Sequence, residues 1–316
     1  MGSSLISYLG PQGSFTHAAA LQWAAGEGTL VPAATVQEVF AAVSEGRCDR
    51  GVVAIENSVE GYVVPSLDAI VAAADVVAVD QTALRISFDA FVRPGADARG
   101  LTHVTAHPHG LAQAQRFVAR SGLTPVPASS NAAACRDLTP DGVAIGPRIC
   151  GELYGLQTWE QGVEDFSGAR TRFLVLARRE IAVARLARHD GDRSAPAGGW
   201  ATMLALTPRV TGPGVLARIA GAFGERGVNM SSLITRPLKA LAGRYVFVIT
   251  CEGAPWEPRL HGLLEALLDA GDALKTLGVL RAPEDLDVVV DPQRIPTGSV
   301  DATSGPEERR EGLLWS

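Results

Sequence analysis

Residues 35–58, TVQEVFAAVSEGRCDRGVVAIENS, contain one complete helix–strand unit. Thr35 and Glu38 have the spacing of a capping box, which predicts a helix start at Thr35. The apolar residues of this helix fall on one face, at Val36, Val39, Phe40 and Val43. Gly46 predicts the helix end, and the apolar run at residues 51–55 predicts a buried strand.

The same alternation of short apolar runs and helical patterns continues from Ile6 to Leu176. It predicts an α/β fold of βαβ units with a largely parallel sheet. Polar residues gather where the predicted strands end and the helices begin. Open α/β sheets bind ligands at that edge, so we expect a functional site there.

The composition changes after the alternating region. Arg, Asp, Ser, Pro and Gly replace the apolar runs between Arg185 and Gly199, so we place a linker at residues 181–199. Residues 200–282 predict the element order βαββαβ, which is the ferredoxin-like pattern. Residues 283–316 are acidic and rich in Pro, Ser and Gly, and we expect a disordered tail there.

Charge and composition exclude several classes of protein. The net charge is −6 without a basic run, which argues against a nucleic-acid partner. No uncharged apolar stretch is long enough for a membrane span, and the N-terminus lacks the features of a signal peptide. The four cysteines lack CxxC spacing, so we expect reduced, mostly buried thiols, no metal site and a cytoplasmic protein.

Four short motifs carry polar groups, and each has a plain structural alternative. The Gly-rich turn at residues 10–14 suits an anion at a helix start, or is an ordinary turn. Glu56-Asn57-Ser58 either lines a site or caps a turn. Thr171-Arg172-Phe173 either clamps a carboxylate or forms a strand edge. In His107-Pro108-His109, a single histidine donating to an anion is a better interpretation than zinc.

Together, and in this order, the motifs resemble those of prephenate dehydratases. They are residues 8–15, residues 55–61, His107-Pro108, residues 130–133 and Thr171-Arg172-Phe173. Residues 200–282 resemble the ACT domain that these enzymes carry. The resemblance covers residues 5–282.

The resemblance implies a two-lobed catalytic domain at residues 5–180, like a periplasmic binding protein, with lobe crossings near Ala83 and Thr158. It implies conversion of prephenate to phenylpyruvate, water and carbon dioxide in phenylalanine biosynthesis, without a cofactor. We assign Thr171 as donor to the departing hydroxyl and Arg172 as carboxylate ligand. The other candidate substrate-binding residues are Ser14, Glu56, Asn57, Ser58, His107, Ser130, Asn131 and Phe173.

The ACT resemblance implies allosteric regulation, with phenylalanine as a possible effector, and a homodimer or homotetramer. The candidate effector-binding residues are Gly214, Val215, Leu216, Asn229, Ile234, Thr235, Arg236 and Pro237. Ile234 stands where the family usually has Glu, which predicts a weak response to phenylalanine or a response to another ligand.

The catalytic region also departs from the family pattern. Ala54 replaces a frequent Pro, and Gly168 and Ala169 stand where many members have Asn. Another residue would then supply that amide. Three alternatives stay open: an arogenate-preferring dehydratase, a prephenate decarboxylase that does not dehydrate, and a non-catalytic sensor of aromatic ligands.

Overall fold

The helix–strand unit predicted at residues 35–58 is present in the computed structural model, as helix Val36–Ser44 and strand Arg50–Asn57. Thr35 Oγ1 accepts a hydrogen bond from Glu38 N at 3.1 Å, as the capping pattern predicted. The structure describes residues 4–188, 199–238, 244–282, 296, 299–300 and 302–314. The chain divides into two units, residues 1–282 and 283–316.

Strands and helices alternate along the first unit. Up to residue 85 they are β1 Leu5–Leu9, α1 Phe15–Ala24, β2 Thr29–Ala33, α2 Val36–Ser44, β3 Arg50–Asn57, β4 Gly61–Tyr62, α3 Val64–Ala72 and β5 Val76–Arg85. The next are β6 Phe88–Val92, a 3₁₀ turn Ala98–Gly100, β7 His103–Ala106, α4 Pro108–Ala112, α5 Gln115–Ser121, β8 Thr124–Pro127, α6 Asn131–Arg136, β9 Gly142–Pro147, α7 Ile149–Tyr154, β10 Gln157–Glu160 and β11 Arg170–Arg178. The last are α8 Arg179–Arg188, β12 Trp200–Thr207, α9 Val215–Glu225, β13 Met230–Pro237, β14 Tyr245–Glu252, α10 Pro258–Asp269 and β15 Ala273–Arg281.

The first sheet is mixed and not largely parallel as we predicted. Strands β2, β1 and β3 pair in parallel, but β11 lies antiparallel between β3 and β5. The prediction was wrong because β11 re-enters this sheet from the second one, in the opposite direction. Apolar periodicity carries no information on strand direction.

The second sheet has the order β10-β6-β9-β7-β8 and is also mixed. The chain enters it between Arg85 and Phe88 and leaves it after Glu160, a few residues beyond each predicted crossing. Two short helices, α4 and α5, follow β7. The Asp165 carboxylate accepts from Gln115 N and Arg116 N, at 2.8 and 3.0 Å, and so starts a new helix.

Residues 200–281 fold in the predicted order βαββαβ. Their antiparallel strands have the order β13-β14-β12-β15, and the helices α9 and α10 contribute to one hydrophobic cluster with one face of this sheet. The strands continue the first sheet through one parallel residue pair, Gly278 and Ala78. A Cβ on Gly278 would lie 2.8 Å from Ala78 O, so the close approach of the two strands requires glycine.

The first lobe is the part of the catalytic region built on the first sheet, and the second lobe is the part built on the second sheet. The other face of the C-terminal strands packs against helices of the first lobe. Met203, Val248 and Leu277 share one buried cluster with residues of α2 and α3 such as Phe40 and Leu67. Polar contacts add to it: Arg236 Nε donates to Asp68 Oδ1 at 2.8 Å. The C-terminal βαββαβ region is therefore fixed to the first lobe.

The second unit contains helix α11, Pro306–Leu313. We expected no regular structure there. Pro306 at the first helical position and Glu307 and Glu308 in the first turn favour this helix, and Glu308 Oε2 accepts from Gly305 N at 2.9 Å. Most of residues 283–305, and residues 189–198 of the predicted linker, lie outside the described residues. No helix in the described ranges has the length and apolar character needed to cross a bilayer.

Candidate functional site

The end of β3 and the start of β11 bring two sequence motifs together. In the pairing of these strands, Thr171 lies opposite Asn57 and Arg172 opposite Glu56. Asn57 Nδ2 donates to Thr171 Oγ1 at 2.8 Å. Asn57 Oδ1 accepts from the backbone N–H groups of Val59 and Glu60, at 2.8 and 3.0 Å. The turn after β3 therefore fixes the amide so that its nitrogen faces Thr171.

Thr171 is a buried residue, with 7% of its surface exposed. Its hydroxyl oxygen accepts the bond from Asn57, and the hydroxyl proton meets no acceptor among the residues that the structure describes. A hydroxyl whose oxygen accepts a hydrogen bond becomes a better donor, because hydrogen bonds in a chain polarise one another. Thr171 can thus donate to a ligand without losing an existing bond.

Arg172 and Glu56 form an ion pair between Nη2 and Oε2. Their side chains are 30% and 27% exposed, so both remain open to a ligand. The pair therefore gives Glu56 a structural partner within the site.

The hydroxyls of Ser58 and Ser14 are bonded to backbone. Ser58 Oγ accepts from Arg170 N at 2.9 Å, which ties the turn after β3 to the start of β11. Ser14 caps α1, because its Oγ accepts from His17 N at 3.1 Å and donates to Leu9 O at 3.2 Å. The Ser14 hydroxyl proton is therefore already used, and this side chain acts in the fold as a helix cap.

The turn between β1 and α1 is held from both lobes. His17 Nδ1 accepts from Gly13 N at 3.1 Å, and Cys150 Sγ donates to Gly13 O at 3.3 Å. Tyr154 Oη donates to Gln12 O at 2.6 Å. Our sequence analysis missed these contacts. The position of His17 one helical turn after Gly13 was a usable signal, but nothing local connects the turn with residues 150–154.

A second polar cluster lies in the second lobe, where β7 and β8 lead into α4 and α6. Asn131 Oδ1 accepts from His107 N at 2.8 Å, which joins the two helix starts. Ser130 Oγ caps α6 by accepting from Ala133 N at 2.9 Å. A side chain at Gly110 would collide with Asn131 Oδ1, so this junction requires glycine.

The surroundings of His107 favour a neutral imidazole that donates through one ring nitrogen. Burial, and then the neighbouring His109, lower the pKa of His107 below its ordinary value of 6.5. Its Nδ1 accepts from His109 N at 3.2 Å, so the neutral ring carries its proton on Nε2. This nitrogen can donate to an anion.

Glu60 connects the two lobes. Its carboxylate lies 3.2 Å from His109 Nδ1 and accepts a short hydrogen bond from Gln113 Nε2. Glu60 N is itself bonded to Asn57, so one residue joins the strand-end pair to α4, which begins at His107. The two clusters therefore belong to one connected region.

The side chain of Phe173 packs in the core beside this region. Phe173 is 1% exposed and lies in a hydrophobic cluster with Ile6, Tyr8 and Val52. Thr171 lies at the start of β11, whereas Phe173, two residues further along, falls where the strand is already covered.

The hydrogen bonds within the site leave mainly donors unused. Among the described residues, the unused donors are the Thr171 hydroxyl, the Ser58 hydroxyl, the His107 Nε2–H, the Ser130 hydroxyl and the Asn131 amide nitrogen. Arg172 adds a positive charge. Such a set suits an anionic ligand with several oxygens.

The candidate effector residues in the C-terminal region fall into two groups. Gly214 and Val215 line a cavity of about 580 Å³ together with Arg218 and Asp272, which form a two-bond ion pair at 2.9 and 2.7 Å. Residues 234–237 lie on β13, where Ile234 packs in the core cluster shared with the first lobe. Asn229 Nδ2 donates to Glu252 Oε1 at 2.8 Å.

A family model described as prephenate dehydratase matches residues 6–181. The chain belongs to the prephenate dehydratase family. It is a lyase that converts prephenate to phenylpyruvate in phenylalanine biosynthesis. The matched residues include every candidate substrate-binding residue in the two lobes.

Relatives support the assignment over nearly the whole chain. A prephenate dehydratase of Amycolatopsis methanolica is 30% identical and covers 92% of each chain. A solved prephenate dehydratase from Arthrobacter aurescens, in complex with L-Phe, has a TM-score of 0.76 and 30% identity, with 92% of this chain and 94% of that chain covered. A structure described as GqqA, a novel type of quorum quenching acylase, also has a TM-score of 0.76, at 27% identity with 89% and 98% coverage.

Proposed function

We propose that Thr171 is the catalytic donor to the hydroxyl that leaves prephenate, and that Asn57 positions it. The observation that carries this proposal is the 2.8 Å bond from Asn57 Nδ2 to Thr171 Oγ1, which leaves the Thr171 proton without an acceptor among the described residues. A donor aimed at a developing negative charge stabilises the transition state.

The reaction itself defines what the protein must do. The bond between the ring and its carboxylate breaks, carbon dioxide leaves, and the electron pair enters the ring. The carbon–oxygen bond then breaks at the opposite ring carbon, and the departing hydroxide takes up a proton from solvent to become water. The ring becomes aromatic, so the substrate supplies the driving force. A threonine hydroxyl is too weak an acid to transfer its proton beforehand, so Thr171 stabilises the departing oxygen by hydrogen bonding.

Arg172 and the second-lobe donors would hold the two carboxylates of prephenate. Arg172 can form charge-assisted hydrogen bonds to one carboxylate while Glu56 keeps its guanidinium in place. The Nε2–H of His107, the Ser130 hydroxyl and the Asn131 amide lie in the opposite lobe and would bind the other carboxylate. Both carboxylates are attached through the ring carbon opposite the hydroxyl, so fixing them orients the hydroxyl toward Thr171.

We further propose that residues 200–282 form an ACT-type sensor domain, following a catalytic domain at residues 5–180 and a linker at 181–199. The βαββαβ order and the antiparallel strand order β13-β14-β12-β15 support a ferredoxin-like fold. The Arthrobacter aurescens relative is in complex with L-Phe. Phenylalanine is therefore the effector to test first.

A homo-oligomer would complete the effector site. Gly214 and Val215 line one cavity, whereas residues 234–237 lie on the edge strand β13 and are not part of its lining. An edge strand has unpaired backbone groups that a second copy can pair with. We propose a homodimer or homotetramer in which the two groups meet between subunits. We place the enzyme in the cytoplasm, where its four buried free cysteines would stay reduced.

Turnover on two substrates tests this proposal and its alternatives. Purified protein is given prephenate or arogenate, with and without phenylalanine, and the products are identified by their ultraviolet spectra. Phenylpyruvate from prephenate is the expected result. A faster reaction with arogenate would mark an arogenate-preferring enzyme, and a non-aromatic product would mark a decarboxylase that does not dehydrate. Binding of prephenate without any product would favour the sensor.

A further inference from the structure

A cavity of about 310 Å³ lies where the first lobe meets the C-terminal region. Its walls include the first half of β5, the start of α8, and β15 from Thr276 onward. Trp200 and Trp256 close one side. None of the candidate substrate-binding or effector residues lines this cavity.

The two tryptophans form an aromatic corner. Their ring centroids are 5.6 Å apart with an interplanar angle of 76°, an edge-to-face arrangement. Such a corner accepts a further flat ring against either face. The indole Nε1–H of Trp200 is buried and meets no acceptor within the described part of the chain. Apart from these rings, the walls are mainly aliphatic, with Val77, Val79 and Val279 among them.

The charged groups of the cavity favour an anion. The charged residues of the lining are Arg179, Arg281 and Asp80, so two guanidinium groups accompany one carboxylate. Asp80 already accepts from Trp23 Nε1 at 3.1 Å and from Gln81 N at 2.9 Å. Arg179 uses one N–H to bond Thr276 O at 2.8 Å and retains other donors. The net positive charge and the free guanidinium donors suit a carboxylate.

The volume limits the size of the ligand. An engineered cavity of about 150 Å³ holds benzene in another protein. A cavity of about 310 Å³ has room for one such ring and a short side chain. Natural ligand sites start at about 300 Å³ and combine an apolar lining with a few polar groups.

We propose that this cavity is a binding site for a single-ring aromatic carboxylate, separate from both the catalytic cleft and the proposed effector site. The ring packs against Trp200 and Trp256, and the carboxylate binds Arg179 and Arg281. The product phenylpyruvate and the amino acid phenylalanine both have this chemistry. The carboxylate of Asp80 stands beside the cavity as a partner for the ammonium group of an amino acid.

The same strand links this cavity to the catalytic site. Residues Val77 to Asp80 of β5 line the cavity, and four residues further on Leu84 pairs with Thr171. The other wall is β15, which belongs to the C-terminal region. A ligand in this position contacts the two regions at once and stabilises their junction.

Binding of 3-phenylpropanoate to the full chain tests the proposal, measured by calorimetry beside phenylpyruvate, phenylalanine and the neutral 3-phenylpropanamide. Val183 lines the cavity and is 60% exposed, so Val183→Phe fills the opening without disturbing the core. Val126→Phe is the matched control on the second sheet, at a residue that is 38% exposed. Trp256→Ala removes one half of the aromatic corner.

The expected result is at least a tenfold weaker affinity for 3-phenylpropanoate in both Val183→Phe and Trp256→Ala, with Val126→Phe unchanged. The neutral amide should bind the wild type at least tenfold more weakly than the acid. Tighter binding of phenylalanine than of phenylpyruvate would identify the amino acid as the ligand, and the reverse would identify the product. Absence of binding at millimolar concentration overturns the proposal. Binding that survives both cavity variants but is lost in Arg172→Gln or Gly214→Val belongs to another site and also overturns it.

Discussion

Asn57 Nδ2 lies 2.8 Å from Thr171 Oγ1, although the two residues are 114 positions apart in the chain. The antiparallel pairing of β3 and β11 places them opposite each other. The direction of this bond matters. Asn57 Oδ1 is committed to two backbone N–H groups, so the amide can only donate to Thr171. Thr171 can therefore donate its hydroxyl hydrogen in a hydrogen bond to the departing hydroxide.

Asn57→Asp should reverse this arrangement while keeping the turn. An aspartate still accepts from Val59 N and Glu60 N, so we expect a melting temperature within a few degrees of the wild type. It also accepts the Thr171 proton, which removes the donor from the substrate. Loss of one such donor typically costs about 100- to 1,000-fold in kcat. Steady-state kinetics on prephenate check this, and an unchanged kcat would show that Asn57 does not position Thr171.

Arg172 and Glu56 should have opposite effects on KM. Arg172→Gln removes a charge-assisted hydrogen bond to the substrate, worth about 1.5–3 kcal/mol. Because Arg172 is about a third exposed, we expect the lower end, about a tenfold higher KM. Glu56→Gln keeps an acceptor for the guanidinium but removes a negative charge beside a dianion, so KM should fall. An equal rise of KM in both variants would mean that Glu56 itself contacts the substrate.

Burial lowers the pKa of His17 below its ordinary value of 6.5, and the bond from Gly13 N to Nδ1 requires the unprotonated nitrogen. Between the folded and unfolded pKa values, the unfolded chain binds more protons. The contribution of His17 to the free energy of unfolding is therefore fully present above pH 6.5. It is lost as the pH falls through the folded pKa. The slope from one proton is at most about 1.4 kcal/mol per pH unit.

His17→Asn retains an acceptor for Gly13 N and removes this titration. Denaturant unfolding from pH 4 to 8 should give a smaller loss of stability on acidification than in the wild type. His107, whose pKa is lowered in the same direction, accounts for part of the remaining loss. Identical pH profiles for the two proteins would contradict the role of His17.

Arg236 should transmit an effector signal. It is bonded to Asp68 on α3, so it connects β13 with the first lobe. Asp68→Asn weakens that contact without touching the cavity at Gly214. We expect Asp68→Asn to bind phenylalanine with wild-type affinity but to respond in activity at least threefold less, whereas Gly214→Val should lose the binding. Calorimetry and turnover, measured in parallel, separate the two effects. A full response in Asp68→Asn would show that the signal takes another route.

Local patterns predicted much of the fold. The capping box at Thr35 and the apolar face of α2 are present as expected, and all six elements between residues 200 and 281 appear in the predicted order. These features depend on residues within one turn or one strand of each other. The order of motifs along the chain then gave the reaction, which the family match supports.

Long-range pairing could not be predicted in the same way. The antiparallel entry of β11 beside β3 is what brings Thr171 to Asn57, and no local pattern encodes it. Phe173 follows Arg172 directly in its motif, and the motif does not reveal that the core already covers β11 at this residue. Tyr154 reaches Gln12 from 142 residues away, so only the tertiary structure could identify it.

Turnover of Thr171→Val and Thr171→Ser on prephenate tests the central claim most directly. Valine matches the shape of threonine but has no hydroxyl, and serine keeps the hydroxyl without the methyl group. Formation of phenylpyruvate should be at least about 100-fold slower with valine, in the range of a lost transition-state hydrogen-bond donor, while serine stays within about tenfold of the wild type. Both proteins should remain folded by circular dichroism. A folded Thr171→Val enzyme with near-normal kcat would contradict the account.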